Sequence, residues 1–482
     1  MASGIQRLFI GVAAVYLLRP ALLERPRVLG DASEYLLMVE SLYRHGSADL
    51  RAEDLRSLRD PADRPRIEGL VKPVPDSYIA DGSGRAYSIH FWAYSLLCLP
   101  ARALLHVFHA NELKAPQVTN AGLFLLAVVA LLRYGGAAGH LSAALLVLSP
   151  AAAFVLWPHP EAFSCALVAI SLALKQAGRP TGATLAAALA SLQAAPLVIL
   201  ALWFWWDARS SAPAGIRAVA PTLALLLAGW PFVFYLVHYG RPNLLLLVGA
   251  VDPARVSLAR ACDLFFDLNV GMLPYVATAL LGALLAPLAL LALGRPVRPS
   301  IVLWAVLAAT AFLSSAAVNW NHGTAGPSRY AIWLLPLVLW VFAQTLEPAP
   351  GNARVRAAFG VLAVVALVSQ TAVVVGRGGL NPSMDHLRNS YLATFVLERY
   401  PALYSPNAEV FAERTLGYEV PDGAIPNREA VVYRTDQGCR KALVQKRHWT
   451  DLLHRCGAPR NPPDFSRLAA ANRRGTWLYV DY

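Results

Sequence analysis

Apolar segments long enough to cross a bilayer recur along most of this chain. A membrane-spanning helix needs roughly 20 predominantly apolar residues. The segments of spanning or nearly spanning length lie at 5–22, 117–133, 137–157, 161–177, 217–238, 272–293, 301–318, 329–346 and 357–375. Of the 482 residues, 56% are hydrophobic and 15% are charged, whereas soluble domains carry about 25% charged residues. The sequence therefore predicts an α-helical multi-pass membrane protein and excludes a soluble globular chain.

The two least regular apolar segments decide the number of spans. Arg7 lies near the start of the first segment and precedes its continuous apolar run, as in a signal peptide, but no small-x-small cleavage site follows, so a retained anchor is predicted. Gln193 and Pro196 interrupt the apolar stretch 181–207, which predicts two short helices that turn near Gln193. With these, about eleven transmembrane helices are expected.

Basic residues predict the orientation of the helices, because cytoplasmic loops carry an excess of Lys and Arg. If the segment 23–116 does not cross the membrane again, the basic residues between the later spans all lie on one side of the membrane. They are Arg133, Lys175, Arg179, Arg209, Arg217, Arg295, Arg298, Arg354 and Arg356. The N-terminus is then cytoplasmic, and the apolar stretch 89–108 lies at the outer leaflet or dips into it. A full crossing at 89–108 is the alternative, and it would place most of these clusters outside.

We expect the protein in the inner (cytoplasmic) membrane, with its C-terminal part in the periplasm or outside the cell. The net charge of +12 fits topology and anionic lipid head groups better than nucleic acid, so no nucleic acid partner is predicted. In this orientation the polar clusters all fall on the external face, where ionisable groups at the membrane are costly and usually functional. They lie in the first external loop 23–116, the turn 157–161, the loops 239–271 and 319–328, and the region after 376.

The first cluster, from Asp31 to Tyr35, follows directly on the first span. Two interpretations are open. Asp31 and Glu34 form a capping box if Asp31 is the N-cap of an amphipathic helix. Alternatively Asp31 is a catalytic base, with Glu34 and Tyr35 as substrate contacts, and its place at the membrane exit favours this interpretation.

Further polar residues occupy the later external turns. Asp76 and Asp81 flank a short segment and are predicted to be solvated turn residues. In the turn 157–161, His159 and Glu161 either follow from favourable pairing with a helix dipole or face the same cavity as Asp31.

Arginines and amides lie in the loops at 239–271 and 319–328. Arg255 and Arg260 suit either anionic lipid or one particular anion, a lipid-linked phosphate, because guanidinium offers a planar fork to phosphate oxygens. The polar side chains at the start of a late span are Asn321, His322, Arg329 and Tyr330. An interface turn is the plain interpretation, but the density of hydrogen-bonding groups favours sugar or phosphate recognition.

Together these features resemble the GT-C superfamily of membrane glycosyltransferases, which includes protein O-mannosyltransferases and aminoarabinose transferases. The resemblance covers about residues 1–376 and rests on the acid after the first span, the long first external loop, the proline-flanked acid at a later turn and the Gly-Pro-Ser-Arg-Tyr sequence at 326–330. By that resemblance Asp31 matches the catalytic aspartate of the first loop, and Glu161 or His159 matches the polar residue of the second. The acids of the first loop are spaced differently from the family's Asp-x-Asp or Asp-Glu pair, so a divalent metal is left open.

The resemblance implies transfer of a sugar from a polyprenyl-phosphate carrier to a glycan, lipid or protein acceptor on the external side. Asp31 would be the general base, and a single displacement would invert the anomeric centre. Phosphate would be bound by Arg255, Arg260 and Arg329, and sugar or acceptor by Glu34, His159, Glu161 and His322. A transporter or flippase of lipid-linked saccharides is a rival interpretation, as is a polysaccharide polymerase or ligase. Charge on one face and the lack of a clear repeat disfavour transport.

The region 377–482 differs from the transmembrane domain 1–376 in its mixed charge and many prolines. We predict a small external domain of mixed α and β structure, which guides the acceptor, acts as a lid or forms a docking surface. A helix is expected near 384–399, and strands near 430–433 and 476–480. Cys439 and Cys456 form a disulfide in an oxidising compartment or remain two thiols.

Overall fold

The computed structural model describes residues 2–59, 66–67, 77–211, 216–321, 326–347, 353–380, 386–420, 430–460, 462 and 477–482. In these residues α-helices dominate, and the named strands form one sheet of two strands and one of three. The chain begins with the apolar helix α1 (Ala2–Leu23), most of whose surface is exposed to the surroundings.

The segment 23–116, which we predict to be the first external loop, is built from short elements that pack on one another. They are α2 (Ala32–His45), α3 (Ala52–Arg59), β1 (Tyr78–Ala80), β2 (Ala86–Ser88), α4 (Ala93–Leu97) and α5 (Leu99–Val107). The buried Glu40 carboxylate accepts two hydrogen bonds from Arg102, at 2.6 and 3.1 Å, which ties α2 to α5. Asp81 caps the turn of the β1–β2 hairpin by accepting from Ser83 N, as predicted. The prediction that it is solvated is wrong, because only 4% of its side chain is exposed and its carboxylate contacts His238 at 2.9 Å. Asp76 lies outside the described residues.

The apolar segments of the sequence all form helices or pairs of helices. In chain order the helices of this part are α6 (Ala115–Tyr134), α7 (Gly136–Val147), α8 (Glu161–Gln176), α9 (Pro180–Ser191), α10 (Val198–Ser211), α11 (Ile216–Leu227), α12 (Trp230–Tyr239), α13 (Leu244–Leu247), α14 (Leu258–Phe266), α15 (Leu273–Ala292), α16 (Arg298–Ser314), α17 (Arg329–Thr345) and α18 (Ala353–Gly376). The two short helices α13 and α14 lie in the loop 239–271 between apolar segments. The stretch 181–207 is divided into α9 and α10, and Gln193 lies between them. The stretch 89–108 forms the short pair α4 and α5.

Length and composition qualify four helices of the described chain as membrane spans, and six if each of two bent pairs makes one span. The four are α1, α6, α15 and α18, and the bent pairs are α7 with 150–156 and α11 with α12. The chain thus has several candidate membrane helices. The total of about eleven spans and their orientation remain predictions.

Helices α8 and α17 lie at the centre of the bundle. Both are buried over most of their length, and α8 packs against α6, α9 and α17. Their C-terminal ends lie among basic residues that we predict to be cytoplasmic, where Arg295 donates to the backbone of Glu347 at 3.1 Å. Their N-terminal ends, at Glu161 and Arg329, open on the opposite side. Two rigid buried helices therefore begin at the same end of the molecule.

The C-terminal region forms a small mixed domain. It contains α19 (Tyr391–Arg399), α20 (Ala408–Leu416), β3 (Val431–Thr435), β4 (Gly438–Val444), α21 (Trp449–Cys456) and β5 (Leu478–Asp481). The strands form an antiparallel sheet in the order β3-β4-β5. Cys439 and Cys456 form a disulfide that joins β4 to the end of α21. Helix α20 faces the transmembrane part and carries the contacts described below.

Candidate functional site

Asp31 lies at the N-terminus of α2 but does not cap it. Gly30 before it has a φ of 56°, a conformation that glycine adopts without the strain a side chain would bring. The Asp31 backbone carbonyl accepts from Glu34 N at 3.0 Å, yet its carboxylate makes no capping hydrogen bond. The Glu34 carboxylate likewise turns away, toward Ser88 and His90. The capping-box interpretation is therefore wrong for both side chains.

Three cationic or hydrogen-bonding groups converge on one oxygen of Asp31. Its Oδ2 atom is 2.8 Å from Arg329 Nη1, 3.3 Å from His159 Nε2 and 3.7 Å from His90 Nε2. The other oxygen, Oδ1, has no hydrogen-bond partner among the described residues, and 29% of the side chain is exposed. One half of the carboxylate is thus held and the other half is open.

The two histidines beside Asp31 are each backed by a glutamate. His159 Nδ1 donates to Glu161 Oε2 in a very short contact, and His90 Nδ1 is 2.8 Å from Glu34 Oε2. A hydrogen bond at Nδ1 orients the ring and points Nε2 at the third group. Both Nε2 atoms therefore face Asp31. The carboxylates and imidazoles alternate in the order Glu161, His159, Asp31, His90 and Glu34.

Aromatic and amide side chains fix these rings in place. Trp157 stacks on His159 with centroids 4.0 Å apart, and its indole N–H donates to the Leu29 carbonyl at 3.2 Å. Asn120 on α6 donates to the carbonyls of Trp157 and His159 at 3.0 and 3.1 Å. The Tyr35 ring lies between the two histidines, 5.0 Å from His159 and 5.5 Å from His90. Packing and hydrogen bonds therefore hold the two imidazoles at Asp31.

The charges within the cluster favour the ionised form of Asp31 and the protonated forms of both histidines. Burial acts to raise the pKa of Asp31, but the hydrogen bond from His159 and the charges of Arg329 and the two histidines outweigh it, so the pKa lies well below its usual range. Burial acts to lower the pKa of His159 and of His90, but the neighbouring carboxylates, Glu161 and Glu34 foremost, raise both above the ordinary value. The cluster holds equal numbers of anions and cations when all of these groups are charged.

Arg329 reaches Asp31 from the first residue of α17 and is itself anchored. Its Nη2 atom donates to the Tyr330 hydroxyl at 3.1 Å, and that hydroxyl donates to the Asn319 carbonyl at 3.1 Å. Its Nε–H is buried without a hydrogen-bond partner in the described residues. Asp31, Glu34, Tyr35, His159, Glu161, Arg329 and Tyr330 therefore come together as one cluster.

Other predicted site residues lie elsewhere. Arg260 donates to the carbonyls of Ser315 and Ala317, at 3.0 and 2.5 Å, and stacks over Trp320. Arg255 is half exposed and pairs with Asp252 at 3.5 Å. These two guanidiniums are not gathered around Asp31.

Two residues of the loop 319–328 also stand apart from the cluster. Asn321 is buried against the C-terminal domain, where its amide contacts Glu413 and Arg414 at 2.7 and 2.9 Å. His322 lies outside the described residues.

His90, Ser88 and Asn120 were missed by the sequence-based prediction. Ser88 directly precedes the apolar stretch 89–108 and His90 is its second residue. Both follow a predicted turn, and the sequence-based prediction placed this stretch at the outer leaflet. Asn120 is a single amide inside an apolar helix, and it is fully buried. A single polar residue inside or directly beside an apolar segment is the signal that would have found them.

The donor set does not fit a divalent cation. Within the described chain no group of three or more His, Cys, Asp and Glu side chains is placed to hold a metal ion. The Arg329 guanidinium contacts Asp31 Oδ2 directly, and both histidines point their Nε2 atoms at the same oxygen.

The chain matches no protein-family model and no curated protein. Among solved structures it is similar to the archaeal oligosaccharyltransferase AglB from Archaeoglobus fulgidus, solved in complex with an inhibitory peptide and a dolichol-phosphate. The similarity has a TM-score of 0.42 and 11% sequence identity, and it covers 83% of this chain and 60% of that chain. A likeness this distant does not decide the function, which we infer from the residues of the site.

Proposed function

We propose that the protein is a membrane glycosyltransferase that moves a sugar from a polyprenyl-phosphate donor to a hydroxyl acceptor on the external face, with inversion at the anomeric carbon. The observation that carries the proposal is the half-open Asp31 carboxylate. Oδ2 is anchored by Arg329 and His159, while Oδ1 has no partner among the described residues. A fixed carboxylate with one free oxygen is suited to take a proton from an incoming hydroxyl.

In the proposed reaction the acceptor oxygen attacks the anomeric carbon while its proton passes to Asp31 Oδ1. The bond between that carbon and the phosphate oxygen breaks, and the phosphate leaves with the electron pair. Such a leaving group needs electrostatic stabilisation rather than protonation. One displacement without an enzyme nucleophile inverts the configuration.

The ion pair between Arg329 and Asp31 couples the two halves of this reaction. A pKa well below the usual range makes Asp31 a weak base in the resting site, so proton transfer is expected late, once the attacking hydroxyl has become acidic. When Asp31 takes the proton its negative charge disappears, and the charges of Arg329 and His159 are no longer balanced. Those charges then favour the departing phosphate, which gains negative charge in the same step.

Arg377, at the end of α18, is a second candidate contact for the phosphate. Its guanidinium stacks over Tyr275 at 4.6 Å and has no hydrogen-bond acceptor among the described residues. It lies 3.7 Å from the position of a Cβ atom on Gly326, in the turn that leads to Arg329. Helix α18 is largely exposed along its apolar face. Arg377 is therefore placed at the boundary between the turn and the lipid-facing helix, where a carrier phosphate would lie.

Product analysis separates this proposal from the transport and polymerase alternatives. Purified protein in liposomes would be incubated with a radiolabelled polyprenyl-phosphate sugar and candidate acceptors. The proposal predicts a new glycosidic bond of inverted configuration, measurable by NMR of the product, and its loss in Asp31→Asn. Relocation of labelled lipid without a new bond would instead identify a flippase, and chains of many repeated units would identify a polymerase.

A further inference from the structure

The C-terminal domain grips the loop that precedes Arg329 through one helix, α20. Glu409 Oε1 accepts hydrogen bonds from the backbone N–H of Trp320 and of Asn321, at 2.9 and 3.2 Å. Glu409 is 5% exposed, and Trp320 is completely buried. A buried carboxylate that accepts two backbone N–H groups is a strong and directional anchor.

The peptide between Asn319 and Trp320 is held on both sides. Its N–H donates to Glu409, and its carbonyl accepts from the Tyr330 hydroxyl at 3.1 Å. The two groups of a trans peptide point in opposite directions, so this single peptide bridges the C-terminal domain and the first turn of α17. Hydrogen bonds in series polarise one another, and the peptide transmits that effect.

The chain of hydrogen bonds continues from Tyr330 to the proposed base. Arg329 Nη2 donates to the Tyr330 hydroxyl at 3.1 Å, and Arg329 Nη1 donates to Asp31 Oδ2 at 2.8 Å. The Tyr330 ring is also packed against Trp320 and Trp333, with centroids 6.2 and 5.2 Å away. Every link between Glu409 and Asp31 is therefore a direct contact between buried or half-buried groups.

We propose that Glu409 is a positioning residue of the transfer site, which acts through the 319–320 peptide and the Tyr330 hydroxyl to fix the guanidinium of Arg329 on Asp31. The C-terminal domain thereby supports the site through the peptide that precedes Arg329. The catalytic part of this inference rests on the proposed function, whereas the positioning of Arg329 does not.

Glu409→Gln is the conservative variant, because an uncharged side chain at this position resembles the protonated form of Glu409. Burial raises the pKa of Glu409 to about 7, against the opposing effect of the two backbone hydrogen bonds. Near neutral pH the side chain therefore spends part of its time uncharged. The amide oxygen of Glu409→Gln can accept the same two N–H groups, whereas Glu409→Ala removes the acceptor and leaves both N–H groups unpaired.

The first test measures the reactivity of Arg329 itself. Full-length protein in detergent would be treated with phenylglyoxal, and the modification rate of the peptide that contains Arg329 would be followed by mass spectrometry. We expect Glu409→Ala and Tyr330→Phe each to raise this rate about tenfold, the effect of losing one charge-assisted hydrogen bond. Arg329 in Glu409→Gln should be modified at the wild-type rate. In the double variant Glu409→Ala/Tyr330→Phe the rate should be no higher than in either single variant, because both changes break the same chain of hydrogen bonds.

Glu413→Ala is the matched control for a loosened domain. Glu413 lies on the same helix and is equally buried, and it contacts Asn321 Nδ2 and Val420 N rather than the 319–320 peptide. We expect little change in the Arg329 rate in Glu413→Ala. Equal acceleration in Glu409→Ala and Glu413→Ala, additive effects in the double variant, or no acceleration at all would overturn the inference.

The second readout is sugar transfer by the same variants. Loss of positioning should lower kcat about tenfold in Glu409→Ala with little change in the donor KM, and Glu409→Gln should restore kcat. If wild type forms no glycosidic bond while the labelling rates follow the predicted order, the proposed function fails and the positioning of Arg329 by Glu409 stands. If wild type transfers sugar and Glu409→Ala matches it in both readouts, the inference alone fails.

Discussion

At the scale of single residues, the position of Asp31 in the sequence was compatible with a helix cap and with a catalytic base. The directions of the Asp31 and Glu34 side chains, which both point away from the helix N-terminus, rule out the cap. A capping aspartate and a base occupy the same place at a helix start, so no local pattern distinguishes them. The contacts that do distinguish them come from Arg329 and His159, which lie far away along the chain. The candidate residues could be predicted from charge at span ends, but their pairing could not, because each pair depends on how α2, α8 and α17 meet.

The proton on His159 provides a prediction about pH. A histidine whose pKa is raised on folding stabilises the protein fully below the pKa of about 6.5 of the unfolded chain, and this contribution is lost as the pH rises through the folded pKa. Glu161 is the largest of the influences that raise the pKa of His159. In Glu161→Gln the alkaline loss of stability should therefore begin at lower pH than in wild type.

Thermal unfolding in detergent between pH 5 and pH 9 would measure this shift. Glu347→Gln serves as the control, because Glu347 pairs with Arg295 at the other end of the bundle and contacts no histidine. The fall of its unfolding temperature at alkaline pH should match that of wild type. If the unfolding temperatures of Glu161→Gln and wild type fall over the same range of alkaline pH, Glu161 does not raise the pKa of His159.

Arg377 provides a prediction about donor binding. If its guanidinium contacts the carrier phosphate in both ground and transition state, Arg377→Gln should raise the donor KM about tenfold and leave kcat nearly unchanged. Steady-state transfer at varied donor concentration measures both constants. Arg399→Gln is the control, since Arg399 also stacks on an aromatic ring, Phe395 at 4.9 Å, but lies in the C-terminal domain. Equal donor KM values for Arg377→Gln and wild type would remove Arg377 from the donor site.

At the scale of elements, apolar periodicity and breakers predicted where helices lie, and packing decided the rest. The division of 181–207 near Gln193 and the helical pair at 89–108 both followed from single polar or proline residues. Arg260 shows the limit of this reasoning. A loop arginine looked available for phosphate, yet Arg260 holds the carbonyls at the end of α16, because unpaired buried carbonyls are costly.

Helices α15 and α17 approach closely at a glycine, and this gives a prediction about stability. A Cβ atom on Gly282 would lie 2.5 Å from the ring of Phe342, which is buried. Gly282→Ala should therefore lower stability by about 1–3 kcal/mol, the cost typical of overpacking. Gly122→Ala on α6 is the control. It gains the same helix propensity, and no atom lies within 4 Å of the added Cβ, so it brings no clash.

The midpoint of thermal unfolding in detergent would report both changes. Gly282→Ala should unfold at lower temperature than wild type, whereas Gly122→Ala should equal or exceed it. A Gly282→Ala protein as stable as the Gly122→Ala protein would contradict the close packing of α15 on α17.

At the scale of the whole molecule, the orientation in the membrane follows from the basic residues and can be tested directly. In a Cys262→Ser background, Ala110→Cys should react with a membrane-impermeant maleimide on intact cells, because α4 and α5 are expected on the external side. Ser210→Cys, exposed at the end of α10, should react only after permeabilisation. The reverse pattern would invert the topology and move the cluster around Asp31 to the cytoplasm.

The C-terminal domain was predicted as a separate external unit. The positions of β3 and β5 were predicted nearly correctly, whereas the central strand β4 was missed. Its attachment to the proposed site was not foreseen. Asn321 was assigned to substrate, but Glu413 and Arg414 occupy its side chain. The sequence separation between these residues is too long for any local signal, so only the assembled chain reveals that α20 supports the turn before Arg329.

The central claim is that Asp31 takes the proton of the acceptor, and one variant tests it most directly. Sugar transfer from a polyprenyl-phosphate donor and equilibrium binding of that donor would be measured for wild type and Asp31→Asn in the same liposomes. Loss of a general base should lower kcat by about 10²- to 10⁴-fold and change the donor Kd only slightly, because the proton comes from the acceptor. Wild-type kcat in Asp31→Asn would contradict the assignment of Asp31.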